Sequence, residues 1–213
     1  MKAVVCKEHG MPDKLSLEQD WPEPTVGDND VLIDIRAAGL NFPDVLTIQG
    51  KYQTQPDMPF IPGGECAGVV SAVGSAVTRF KPGDKVVSMG GVGAFAEKLA
   101  AHEMAVVPMP DSLSFEQAAG VAITYFTSYY ALKQRGNLQP GETLLVLGAA
   151  GGVGSTAVEL GKLMGAKVIA AASSDEKLEL CKKLGADEVI NYSTEDLRGR
   201  ITVSYTHLRA HET

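Results

Sequence analysis

The chain has 213 residues, room for one large domain or two small ones, and its 45% hydrophobic and 21% charged residues are those of a globular protein. Its net charge of −7 argues against nucleic acid as a main partner, because phosphate backbones bind basic surfaces. No apolar run reaches the roughly 18 residues of a membrane span. The opening Met1-Lys2-Ala3-Val4-Val5-Cys6 enters a short strand pattern with no signal-peptide core, so a cytoplasmic location and no membrane partner are expected.

Residues 1–122 read as a β-rich domain. Val31-Leu32-Ile33-Asp34-Ile35-Arg36 puts apolar side chains at 31, 33 and 35, the pattern of a half-buried strand. Residues 66–73, 85–89 and 94–100 are further strand candidates, punctuated by Pro62-Gly63-Gly64, Pro82-Gly83-Asp84 and Gly90-Gly91. Many short strands with such turns predict a barrel or sandwich. Cys6, Cys66 and Cys181 are odd in number, far apart and without a Cys-x-x-Cys pair, so buried thiols are expected. The four histidines are scattered, and no metal site is expected.

The pattern changes near Asp111. Ser114 is the expected N-cap of one helix, and residues 127–134 form a second. From Glu142 strands and helices alternate, which implies βαβ units and a parallel sheet over 123–202. Thr143-Leu144-Leu145-Val146-Leu147 reads as a strand buried on both faces. Gly148-Ala149-Ala150-Gly151-Gly152-Val153-Gly154 follows, then a helix that Gly165 ends, then a strand at 167–172. A pyrophosphate needs this order: glycines let the backbone approach, and the helix start offers unpaired N–H groups and the positive end of a dipole. A glycine motif by itself is weak, and the complete strand, turn, helix, cap and strand make it specific for a dinucleotide.

Sites that prefer NADH carry Asp or Glu at the end of the second strand, about 20 residues on. Here Ser173 and Ser174 stand there, and Lys177, one turn into the next helix, suits a 2′-phosphate. NADPH is the expected cofactor. Asp175 is the counter-argument, since a small shift of the strand end would bring it to the ribose. Ser173-x-x-Glu176 also reads as a helix capping box.

Four motifs together resemble the zinc-free quinone oxidoreductase branch of the medium-chain dehydrogenase/reductase superfamily. They are Ala38-Gly39-Leu40-Asn41-Phe42-Pro43-Asp44; Gly50-Lys51-Tyr52 with Pro59-Phe60-Ile61-Pro62-Gly63-Gly64-Glu65-Cys66-Ala67-Gly68; Pro140-Gly141-Glu142 leading into the glycine turn; and Leu184-Gly185-Ala186-Asp187 with Asn191-Tyr192. The resemblance covers residues 1 to about 202. It implies a GroES-like β-barrel domain followed by an incomplete Rossmann domain, a doubly wound parallel sheet. Zinc-dependent relatives carry Cys where this chain has Asn41 and His where it has Gly64, so the resemblance implies hydride transfer from NADPH to a quinone without zinc. A 2-enoyl thioester or enone reductase and a non-catalytic dinucleotide-binding protein are the alternatives.

By resemblance, Tyr52 flanks the nicotinamide and donates a proton or gates the site, and Asn41 and Asp44 line the substrate side. Thr127 touches the nicotinamide end. Ala150, Gly151, Gly152 and Val153 hold the pyrophosphate, and Ser173, Lys177 and Tyr192 surround the adenosine ribose and its phosphate. Each has a structural alternative: Tyr52 packing over a loop, Asp44 capping a short helix, Lys177 as a solvated charge, Tyr192 as edge packing. Glu65 is expected to hold its turn through backbone bonds.

Residues 203–213 match nothing in the family and read as the in-frame translation of a sequencing adapter, TCT TAT ACA CAT CTC CGA GCC CAC GAG encoding Ser204 to Glu212. On that view the chain is C-terminally truncated and lacks the elements through which the parent would form a homodimer. An exposed apolar sheet edge and poor folding are then expected.

Overall fold

The computed structural model describes residues 1–204; the expected non-native tail, but for its first two residues, lies outside the described residues. The chain divides into two compact units, Met1–Ile123 and a second beginning at Thr124.

The first unit is built on a five-stranded antiparallel sheet. In chain order it has β1 (Ala3–Cys6), β2 (Leu15–Glu18), β3 (Asp30–Gly39), α1 (Phe42–Ile48), β4 (Glu65–Val73), β5 (Lys85–Met89), β6 (Lys98–His102), β7 (Val106–Pro108) and α2 (Phe115–Ala119). The sheet order is β6-β3-β4-β5-β7, and β1 pairs with β2. Side chains alternate across the sheet, as the two-residue period requires. Val31, Ile33, Val70, Val86 and Val106 close one core with Phe80, whereas Ala67 and Val87 face Ala118, Ala119 and Met109 on the other side. Register shifts between Leu32 and Ile33 and between Ile35 and Ala37 bend β3.

One strand lies later than its sequence pattern predicts. Residues 94–100 are a strand candidate, yet β6 runs from Lys98 to His102. The N–H groups of Ala94 and Phe95 bond the carbonyls of Gly63 and Pro62 (3.1 and 3.0 Å), so that stretch is committed to a loop rather than to the ladder. The cap of α2 is as expected: Ser114 Oγ accepts from the Gln117 N–H, and Gln117 Oε1 accepts from the Ser114 N–H.

The second helix begins earlier than its pattern predicts. It is α3 (Ala122–Tyr129), which continues into a π-helical turn, Tyr130–Arg135, with the Gly136 N–H bonded five residues back to the Ala131 carbonyl. Then come β8 (Thr143–Leu147), α4 (Gly152–Leu163), β9 (Lys167–Ala172), α5 (Asp175–Lys183), β10 (Glu188–Asn191) and α6 (Leu197–Ser204). The three strands are parallel, in the order β10-β9-β8. Gly165, at φ +83°, ends α4 where the sequence places the cap.

Burial corrects one expectation. The strand buried on both faces is β9, the central one, whose Val168, Ile169, Ala170 and Ala171 are fully buried. β8 buries Leu144 and Val146 on one face only, while Leu147 is 57% exposed. Among the described residues β8 has a strand on one edge only, and on its second face Leu145 is partly buried. No helix among the described residues is long and apolar enough to cross a membrane.

Candidate functional site

The second unit carries the glycine turn. β8 ends at Leu147, and Gly148 turns the chain at φ +60°, a conformation that costs other residues steric strain. The Ala149 N–H bonds the Ala171 carbonyl (3.0 Å), tying the turn to β9. The N-cap of α4 is Gly151, which has no side chain to satisfy the helix start. Among the described residues, the N–H groups of Gly152, Val153 and Gly154 precede the first ladder bond, which runs from Ser155 to Gly151 (2.8 Å). The result is an anion site of backbone donors at the positive end of a twelve-residue helix.

Gly154 sets how close this helix start can lie to the strand. A Cβ there would meet Gly148 O at 2.4 Å and Ala149 Cα at 2.8 Å, both rigid backbone. A cavity of about 560 Å³ opens beside the turn, walled by Leu144 to Leu147, the first turn of α4, Ser128 and Leu132.

Sequence reasoning missed Ser128. It is buried, its Oγ donates to Val153 O (2.9 Å), and it shares a hydrogen bond with Thr156 Oγ1 (2.7 Å). This pair holds the α4 start against α3, on which the neighbouring Thr127 is exposed. The available signal was a hydroxyl inside an apolar helix face, which needs a partner when buried.

At the far end of β9, Ser173, Lys177 and Tyr192 come together. Lys177 Nζ bonds Ser173 Oγ (3.0 Å). Tyr192, exposed, follows β10, and its N–H bonds the Ala172 carbonyl (3.2 Å). The capping box expected of Ser173 does not form: the N-cap of α5 is its neighbour Ser174, whose Oγ accepts from the Lys177 N–H (3.4 Å), and Lys177 has no acceptor to return the bond. The Asp175 carboxylate accepts from Asn191 Nδ2 (2.8 Å).

In the first unit Asn41 and Asp44 meet over Glu65. Glu65 is 2% exposed; its Oε1 accepts from Asn41 Nδ2 (2.7 Å) and its Oε2 from the Ile123 N–H (2.8 Å). Asp44 Oδ2 accepts from the Asn41 N–H (2.8 Å), the helix-capping alternative. Burial pushes the Asp44 carboxyl above its usual range; the N–H groups of Asn41 and Gly64 pull it down, and the Glu65 charge pushes it up. Tyr52 is half-buried in the chain after α1, and among the described residues no hydrogen bond joins its hydroxyl to Asn41 or Asp44. The structure therefore brings Asn41 and Asp44 together, with no hydrogen bond from either to Tyr52 among the described residues.

The donors at this place do not fit zinc. The Asn41 amide nitrogen is committed to Glu65, Gly64 has no side chain, and burial, then the Glu65 charge, push the Cys66 thiol up to about 12. A protonated thiol is a poor ligand.

Residues 27–111 match the family described as alcohol dehydrogenase GroES-like domain, and residues 152–208 the family described as zinc-binding dehydrogenase. The chain is 42% identical over 202 residues to quinone oxidoreductase-like protein 2 homolog of Nematostella vectensis, covering 94% of this chain and 54% of that protein. It superimposes with TM-score 0.91 on the quinone oxidoreductase of Pseudomonas syringae (41% identity, 95% of this chain, 62% of that one). The quinone oxidoreductase of Escherichia coli complexed with NADPH also gives TM-score 0.91 (34% identity, 96% and 62%). The chain spans about half the length of the curated relatives it matches. The antiparallel sheet of the first unit is thus the GroES-like domain and the parallel sheet of the second the Rossmann type, and the chain belongs to the medium-chain dehydrogenase/reductase superfamily, on the branch of the quinone oxidoreductase relatives.

Proposed function

We propose that this chain binds NADPH and that the protein it represents reduces a quinone by hydride transfer without zinc. The observation that carries this is the start of α4, where a side-chain-free cap leaves backbone donors open beside a glycine that lets helix and strand touch. Ala150, Gly151, Gly152 and Val153 are the residues we assign to the pyrophosphate. Ser173 and Lys177 supply a hydroxyl and an ammonium to a 2′-phosphate, Tyr192 supplies a ring beside the ribose, and Thr127 serves the nicotinamide end. Three relatives in this family are described as NADPH complexes, which supports the same cofactor here.

When bound, the dihydronicotinamide supplies the hydride, and the protein supplies position. Glu65 holds the Asn41 amide by its nitrogen, which fixes the atoms Asn41 presents to a polar substrate. Asp44 braces that segment through the Asn41 N–H. Tyr52, with its hydroxyl uncommitted, is the proton donor to a reduced acceptor. In this scheme residues 1–122 are the catalytic domain and 123–202 the cofactor domain.

The test has two arms. Fluorescence titration of this chain should show NADPH binding tighter than NADH, and Lys177→Ala should reduce that preference. NADPH oxidation by the full-length protein should proceed with a benzoquinone and not with an enoyl-CoA. Enoyl-CoA turnover without quinone turnover would replace the substrate assignment, and binding with neither would make the protein a non-catalytic dinucleotide binder.

A further inference from the structure

Asn191 closes β10 and is 7% exposed. Its N–H donates to Glu195 Oε1 (2.9 Å), its carbonyl accepts from the Glu195 N–H (2.8 Å), and its Oδ1 accepts from the Ser193 N–H (3.1 Å). The Ser193 N–H can only donate, so the orientation of the amide follows from the network and leaves Nδ2 for the Asp175 carboxylate at 2.8 Å. Ser193 Oγ in turn donates to the Ser173 carbonyl (2.9 Å). One buried amide therefore joins the end of β10 both to the backbone of the serine that pairs with Lys177 and to the carboxylate two residues further on.

We infer that Asn191 is a specificity-determining positioning residue: by holding Asp175, it keeps the second strand's end free of an available carboxylate and preserves the preference for NADPH over NADH. The inference rests on the NADPH assignment above. The chemistry works in two ways. A released Asp175 is an acceptor for a ribose 2′-hydroxyl, the arrangement that favours NADH. Its negative charge, present whether held or free, can then swing toward a 2′-phosphate carrying close to two negative charges and repel it. Both effects move the cofactor ratio in one direction, whereas loss of a merely structural amide weakens both cofactors alike.

The experiment is fluorescence titration of the full chain with NADPH and with NADH. In Asn191→Leu, which keeps the branching at Cγ and removes the donor, the ratio of NADH to NADPH dissociation constants is expected to fall about tenfold, a change of about 1.4 kcal/mol. Asn191→Ala serves the same purpose if the leucine variant does not fold. Adding Asp175→Asn, which removes the charge, is expected to return the ratio to within about twofold of the wild-type chain. An unchanged ratio in the Asn191 variants, or a fall that Asp175→Asn does not reverse, overturns the inference while leaving the NADPH assignment intact. A wild-type chain that binds both cofactors equally overturns that assignment and the inference with it.

Discussion

Gly154→Ala separates the cofactor site from the fold around it. The added Cβ would lie 2.4 Å from Gly148 O and 2.8 Å from Ala149 Cα, and neither atom can move without moving the turn. Restoring ordinary contact, about 3.4 Å, requires the start of α4 to withdraw by about 1 Å. Overpacking of this kind costs about 1–3 kcal/mol. Alanine in a helix is worth about 1 kcal/mol over glycine, so the net loss of stability is about 0–2 kcal/mol. Binding suffers more. A withdrawal of about 1 Å takes a hydrogen bond of about 2.9 Å out of range, and a bond to a charged group is worth about 1.5–3 kcal/mol. Loss of one such bond raises the NADPH dissociation constant between about tenfold and about a hundredfold. Gly161→Ala is the control: its Cβ would meet Leu144 Cδ2 at 2.7 Å and Val168 Cγ2 at 3.0 Å, side chains remote from the helix start. With the same offset it is expected to lower stability by about 0–2 kcal/mol and leave NADPH affinity unchanged. Fluorescence titration and urea unfolding of the two variants decide the matter. A Gly154→Ala chain that binds NADPH within about twofold of wild type would refute the reasoning.

Three further outcomes are expected. Glu65→Ala strands two buried donors, Asn41 Nδ2 and the Ile123 N–H, and should cost about 3–5 kcal/mol in urea unfolding; Glu65→Gln, which can keep one and let the Asn41 amide turn, should cost about half as much. Burial, the first cause, raises the folded-state pKa of Asp44, so its contribution to stability is greatest below the unfolded value of about 3.9 and is lost as the pH rises through the raised folded value; urea midpoints across acid pH should show this slope, and Asp44→Asn should flatten it. Leu147→Lys places a charge at the 57% exposed end of β8 and should raise the soluble fraction on concentration, measured by light scattering; unchanged scattering would show that this edge does not drive association.

The features legible in the sequence are those that local geometry decides. The Ser114 capping box spans three residues, the Gly165 cap follows from a positive φ at a helix end, and the glycine turn needs only the strand before it and the helix after it. Strand β5 was legible as well, because turns bound it on both sides. Residues 94–100 misled because two of their N–H groups are taken by Gly63 and Pro62, some thirty residues earlier. The 143–147 run misled because an apolar run shows that a strand wants burial on both faces, not that neighbours exist to provide it.

The amino-acid sequence alone determined the superfamily, the order of the two folding patterns and the place of the phosphate turn, since each rests on residue types at short spacing. Tertiary structure decided what surrounds that turn. Ser128 meets Thr156 from a different helix, Glu65 joins Asn41 to Ile123, and Asn191 reaches back sixteen residues to hold Asp175. A hydrogen bond forms where folding places donor and acceptor within about 3 Å. Sequence gives the inventory of such groups, and packing chooses the pairs. At Ser173 and Lys177 the residue types pointed to NADPH, while the position of Asp175, the residue that argued against it, was set by a partner on another strand.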